Sequence, residues 1–218
     1  MLSRQGPIAR FRGRGDKVTE FARLLRPYLD GKVLDVGCDS RFLENHLPGK
    51  YVGVDIAGCP DIRVNLEEGL PFSDKSFDVT VAFDILEHCD RMHLVFDELC
   101  RVTRSFVIVG LPNMYEWHFR ILYLFGRKVS GKYGLPPDPP ADRHRWLFTI
   151  DEGRAFLRTR GTMHGFSPVR EILGYYAYRR FLPRCIGALG EMVSPKWASA
   201  LAYHYCMVLR RDDGVSRI

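Results

Sequence analysis

Short apolar runs alternate with amphipathic stretches through the first half of the chain. Across residues 17–29, Val18, Phe21, Leu24, Leu25 and Tyr28 recur at helical spacing, and Gly31 suits the stop. Residues 32–36 and 51–55 are compact apolar runs of strand length, with a turn and a short helix at about 42–47 between them. Residues 62–65 read as a third short strand, and Leu70-Pro71-Phe72-Ser73-Asp74 as a turn into a strong strand over 77–83. Residues 92–102 place Met92, Val95, Phe96 and Leu99 on one helical face, and 106–109 form the next buried strand. This alternation predicts a Rossmann-like, doubly wound α/β sheet, mostly parallel, in a single domain spanning 1–218.

Beyond residue 113 the rhythm changes. The apolar and aromatic stretch 117–129 ends in Arg127 and Lys128 and reads most simply as a buried amphipathic helix, with a substrate lid as the alternative. A stiff Pro-rich loop at 136–140 leads to Asp142-Arg143-His144-Arg145-Trp146, and 114–148 as a whole reads as a lid-like insertion after the fifth strand. Thr149-x-x-Glu152 is a capping box for a helix to about 159. A strand at 168–173, a mixed aromatic helix at 177–192 and a last strand at 203–209, expected to run antiparallel, complete the chain.

Charge changes this picture little. The net charge is +6, and Arg4, Arg10, Arg12 and Arg14 precede the first acidic residue, Asp16, so 1–15 is expected to be a solvated basic arm. The six cysteines (38, 59, 89, 100, 185 and 206) show no paired short spacing of the kind that metal or redox sites use. Free thiols and the lack of a signal-like segment point to a cytoplasmic protein, with peripheral membrane contact left open by the apolar and basic second half.

The candidate chemistry lies at the ends of the first strands. Asp35 and Asp55 each close an apolar run beside a turn, where a doubly wound sheet collects its ligands. A nucleoside with ribose hydroxyls would answer such carboxylates. A dinucleotide fingerprint needs glycine at two further positions after Gly37, but these hold Asp39 and Phe42, and no phosphate-loop motif is present. An acid-rich turn suits a cofactor that is positive and carries no phosphate, which S-adenosylmethionine satisfies.

Four motifs in order carry a resemblance: Val33-Leu34-Asp35-Val36-Gly37-Cys38, Gly53-Val54-Asp55, Leu70-Pro71-Phe72-Ser73-Asp74-Lys75-Ser76-Phe77-Asp78 and Phe83-Asp84-Ile85-Leu86-Glu87-His88. Over roughly 30–113 the chain resembles class I S-adenosylmethionine-dependent methyltransferases, closest to their small-molecule, type 11-like group. The resemblance implies that Asp35 and Gly37, with Cys38 and Asp39, line the methionine end of the cofactor. It implies that Asp55 accepts from the ribose hydroxyls with Ile56 beside it, that Asn65 and Leu66 meet adenine, and that Asp84 faces the methionine moiety or the acceptor. The family turn carries more glycine than Asp39-Ser40-Arg41, so a side chain at Asp39 either crowds the cofactor or holds its ammonium group. For Asp78 the structural reading is taken, an acid that orders its neighbouring loop, and for Glu87 that of a helix-entry acid.

Asp142 to Trp146 is denser in charged and aromatic residues than folding alone requires. His144 is the expected general base and Arg143 or Arg145 the anion clamp, with His88 and Asn113 on the acceptor side. The expected reaction is methyl transfer to an oxygen or nitrogen of a small molecule, sugar-containing or lipid-linked, with no metal required. Two alternatives stand beside it: a catalytically inactive scaffold of the same fold, and a nucleic-acid methyltransferase. The second is disfavoured because Leu111-Pro112-Asn113 is not the Asn/Asp-Pro-Pro-Tyr/Phe signature.

Overall fold

The computed structural model describes residues 7–129, 132–140, 142–177 and 200–212. Eight strands form one sheet: β1 (Ile8–Phe11), β2 (Lys32–Val36), β3 (Lys50–Asp55), β4 (Ile62–Arg63), β5 (Phe77–Phe83), β6 (Thr103–Pro112), β7 (Phe166–Tyr176) and β8 (His204–Arg211). Among the described residues the helices α1 (Arg14–Leu25), α2 (Met92–Val102), α3 (Trp117–Leu124) and α4 (Ile150–Met163) accompany them. The strand order is β1-β7-β8-β6-β5-β2-β3-β4. Every pairing is parallel except those of β8, which runs antiparallel to both β6 and β7, as expected for the last strand.

Both faces of the sheet are covered, which is why its central strands are apolar on successive residues rather than alternately. One core packs Phe21, Ala22 and Leu25 of α1 against Val33, Val79, Val81, Ile108 and Val208. The other packs α2 and α4, through residues such as Phe96, Leu99 and Leu157, against Val36, Ala82, Val107 and Val109. Thr149 caps α4 as the sequence indicates: its hydroxyl accepts from the Glu152 N–H, and the Glu152 carboxylate accepts from the Thr149 N–H at 2.7 Å.

Several expectations are corrected. Part of the solvated arm is a strand, because the alternation Ile8-Ala9-Arg10-Phe11-Arg12 turns Ala9 and Phe11 inward and leaves the arginines outside. The helix expected from residue 17 begins at Arg14, and its buried stripe is Lys17, Phe21, Ala22 and Leu25, which brings a lysine onto the apolar face. The helix expected at 42–47 is only a 3-10 turn at Glu44–His46. The helix within 117–129 is not a core element: α3 has no buried residue, and Leu124 and Phe125 are 79% and 72% exposed. The helix expected at 177–192 falls almost wholly outside the described residues.

Candidate functional site

The chain runs outward from β2 through β3 to β4, then returns to the other side of β2 as β5. The loops leaving β2 and β5 therefore diverge and open a crevice at the strands' carboxyl ends. A cavity of about 820 Å³ occupies it, lined by Gly37, Asp39, Asp55, Asn65, Asp84 and His144 among others.

Its floor is the turn after β2. Gly37 has φ +77°, and a β-carbon there would stand 2.8 Å from the Ile85 side chain, so only glycine fits. Asp39 and Arg41 also adopt positive φ, +44° and +57°. The turn thus keeps a glycine-like backbone with other residues in it, at a local conformational cost that Asp tolerates better than most. The Asp39 carboxylate pairs with Arg14 at 2.8 Å, and its N–H donates to Asp55 at 2.9 Å. The other Asp55 oxygen accepts from the Ala57 N–H at 3.1 Å, which fixes the carboxylate at the end of β3 facing the cavity.

Asp35 is placed otherwise than a cavity-lining residue. It is buried, accepts from the Tyr51 hydroxyl at 2.9 Å, and with Cys38 borders a small recess behind Gly37. Burial pushes its carboxyl up to about 7, against the Tyr51 hydrogen bond. Ile56, Asn65 and Leu66 line the cavity, and Asn65 caps the following 3-10 turn by accepting from the Glu67 N–H.

Asp84, at φ +52°, closes the other wall. Its carboxylate is gripped by Lys17 of α1 and by His204 Nε2 of β8 at 2.6 Å. Burial lowers Lys17 to about 8, with nearby Glu87 working against that shift, and holds His204 well below its ordinary range. The only cue to Lys17 was a lysine inside an amphipathic stripe, and His204 carried no cue, since it stands 120 residues from its partner.

The outer part of the cavity is covered by the 142–146 loop, pinned by Arg145 N–H and Trp146 N–H to the Glu87 carbonyl and by Trp146 Nε1 to the Cys89 carbonyl at 2.7 Å. His88 and His144 meet edge to face with centroids 4.4 Å apart, beside Glu87. Burial lowers both imidazoles, His144 to about 3. Arg143 and Arg145 both line the cavity, and Arg145 also pairs with Asp90 at 3.3 Å. Asn113 does not line it: its amide donates to the Ala202 carbonyl and accepts from the Tyr115 N–H, which joins β6 to the approach of β8.

Glu87 stands in the first turn of the 3-10 helix Leu86–His88, as expected of a helix-entry acid. It is fully buried, neither carboxylate oxygen has a hydrogen-bond partner, and burial raises it to about 7. Asp78 does order its neighbours as expected, accepting from the Lys32 N–H at 2.8 Å and pairing with Arg104.

An open, doubly wound sheet with a carboxylate-walled crevice at its switch point belongs to the α/β proteins that bind nucleoside-type cofactors. Residues 34–108 match the family model described as Methyltransferase domain. The fold is shared with a SAM-dependent methyltransferase from Archaeoglobus fulgidus, at 16% identity and TM-score 0.59 over 92% of this chain and 96% of that one. It is also shared with magnesium protoporphyrin IX methyltransferase from Synechocystis PCC 6803 with bound SAH, at 17% identity and TM-score 0.55 over 91% and 83%. A third similar structure is the small RNA methyltransferase HEN1, at 14% identity and TM-score 0.59, covering 90% of this chain and 25% of that one. No curated protein matches the chain significantly. The family-model match thus covers 34–108, and the chain as a whole shares the fold of these methyltransferase structures.

Proposed function

We propose that the protein transfers the methyl group of S-adenosylmethionine to a hydroxyl of a small-molecule acceptor. The observation that carries this reading is the Asp55 carboxylate, fixed by two backbone N–H groups at the end of β3 and facing the cavity with lone pairs left for the ribose hydroxyls. Asn65 and Leu66 would border adenine. Gly37, Asp39 and Asp84 would surround the methionine end, with Asp35 and Cys38 supporting the turn from behind.

The bound cofactor supplies a methyl carbon on a sulfonium, a leaving group that needs no protonation. The protein's part is alignment, for which positioning contributes several kcal/mol. The acceptor would enter beside Phe119, Tyr133 and Arg143, which line the cavity. Arg143 suits an anionic substituent on it. His144 can orient an acceptor hydroxyl, but with its pKa near 3 it is a weak base unless another group shares the proton.

Calorimetric titration with S-adenosylmethionine tests the assignment. Asp55→Asn, which keeps one acceptor oxygen for the turn, should weaken binding about tenfold, the cost of roughly one charge-assisted hydrogen bond; unchanged affinity would refute the cofactor geometry. A second reading, peripheral contact with an acidic membrane surface, is favoured by α3, where exposed Leu124 and Phe125 adjoin Arg127 and Lys128. No described helix is long and apolar enough to cross a membrane.

A further inference from the structure

Glu87, His88 and His144 converge on one side of the cavity. Glu87 is wholly buried with both carboxylate oxygens unpartnered, an arrangement that costs several kcal/mol unless something polar or charged answers it. His88 Nε2 faces it at 3.9 Å, and donor atoms of Glu87, His88 and His144 all lie within 4.8 Å of one another. We propose that Glu87, His88 and His144 form a divalent-cation site that binds and activates the acceptor hydroxyl, a proposal that rests on the methyl-transfer reading above.

Two imidazoles and one carboxylate are a ligand set suited to Mn²⁺, Fe²⁺, Co²⁺ or Zn²⁺, and three protein ligands leave coordination positions open toward the cavity. The surrounding groups are arranged as supports for such ligands. Asp142 stands 2.5 Å from His88 Nδ1, on the side of the ring away from the Glu87-facing nitrogen. Tyr133 holds His144 through Nδ1 in the same manner and leaves Nε2 for another partner. A carboxylate or hydroxyl on the far nitrogen is the usual device that fixes a ligating imidazole. The loop carrying His144 is itself tied to the backbone of Glu87, so ligands 57 residues apart in sequence are held as one unit (Arg145 N–H to Glu87 carbonyl, 2.8 Å).

The site already attracts a cation. The Lys132 ammonium lies 3.4 Å from His88 Nε2 and 2.8 Å from Asp142, on a side chain that is 43% exposed and can swing outward. A metal ion would displace it, and donors at about 2.1 Å from one ion would draw together by roughly 1 Å. The acceptor class that follows is a hydroxyl with a second oxygen beside it, able to chelate. The hydroxyl on the ion releases its proton to water at the cavity mouth. Its oxygen then bonds to the methyl carbon while the carbon–sulfur pair stays on sulfur, so the sulfonium charge is discharged as a neutral thioether. His144 then acts as a ligand, which removes the demand on it to serve alone as base.

The test uses the full chain without a histidine tag, stripped with a chelator and titrated with MnCl₂ and CoCl₂ by calorimetry, the cobalt form also by its visible spectrum. One equivalent is expected, with a nitrogen-ligated cobalt spectrum lost in His144→Ala and Glu87→Gln. Asp142→Asn, at an exposed support that leaves the core intact, should weaken binding at least about tenfold. Lys132→Met should tighten it by removing the resident cation. Absence of binding, equal affinity in Asp142→Asn, or weaker binding in Lys132→Met would each overturn the site. S-adenosylmethionine is titrated separately: metal binding without cofactor binding would sink the methyl-transfer reading and leave the ion site standing, and the reverse would sink the ion site alone.

Discussion

Gly37 joins the sequence motif to the cavity in one atom that is missing. Its φ of +77° and the 2.8 Å approach to Ile85 leave no room for a methyl group. Gly37→Ala should lose at least about 1–2 kcal/mol in urea unfolding and weaken S-adenosylmethionine binding in parallel. Asp35 yields a pH-dependent expectation. Its folded carboxyl is raised to about 7 from an ordinary 3.8, so the native state holds an extra proton between these values, and stability falls as pH rises through that window. Asp35→Asn, which still accepts from Tyr51, should flatten that fall and gain on the order of 2–4 kcal/mol at pH 8, with none at pH 3. Urea midpoints at both pH values decide it, and an equal effect at each would refute the buried-acid account. The place of Asp55, at the end of β3 beside the cavity, was legible because it depends on neighbours a few positions away. Lys17 and His204 were not, because a lysine in a helix and a histidine at a strand start gain meaning only when Asp84 meets both, 67 and 120 residues away. His88 and His144 were each singled out, but their meeting with Glu87 was not legible, because it joins residues 57 positions apart.

Among the elements, those with one dominant local signal were readable. The 92–102 periodicity gave α2 to the residue, and the Thr149–Glu152 box gave the start of α4. β1 escaped because four residues framed by arginines carry too little apolar weight to outvote their charge. α3 misled in the other direction, since apolar content says that a surface will be covered but not by what. Glutamate at both Leu124 and Phe125 should leave the melting temperature within about 2 °C, because neither side chain is packed. A core helix would instead lose several kcal/mol. The same double substitution should abolish co-sedimentation with phosphatidylserine vesicles if the membrane reading holds, and retained binding would move that contact elsewhere.

For the whole molecule, β1 is an edge strand with core residues. Phe11 is 1% exposed and packs on Phe21, Tyr176 and Tyr203, so Phe11→Ala should cost about 3–5 kcal/mol by urea unfolding. A loss below about 1 kcal/mol would show that the sheet is stable without it. The placement of β8 has a consequence for the order of assembly. It is the last described strand to be synthesised, yet it lies between β6 and β7, and its His204 completes the grip on Asp84. Residues 34–108 can collapse around β2, β3 and β5 while the ribosome is still adding chain, but β7 and β1 have no sheet to join until β8 is released. The third of the protein that matches the family model can therefore form early, whereas the wall that holds Asp84 waits for a pairing across about 100 residues, the kind of long-range closure that makes folding slow and truncated chains prone to aggregate.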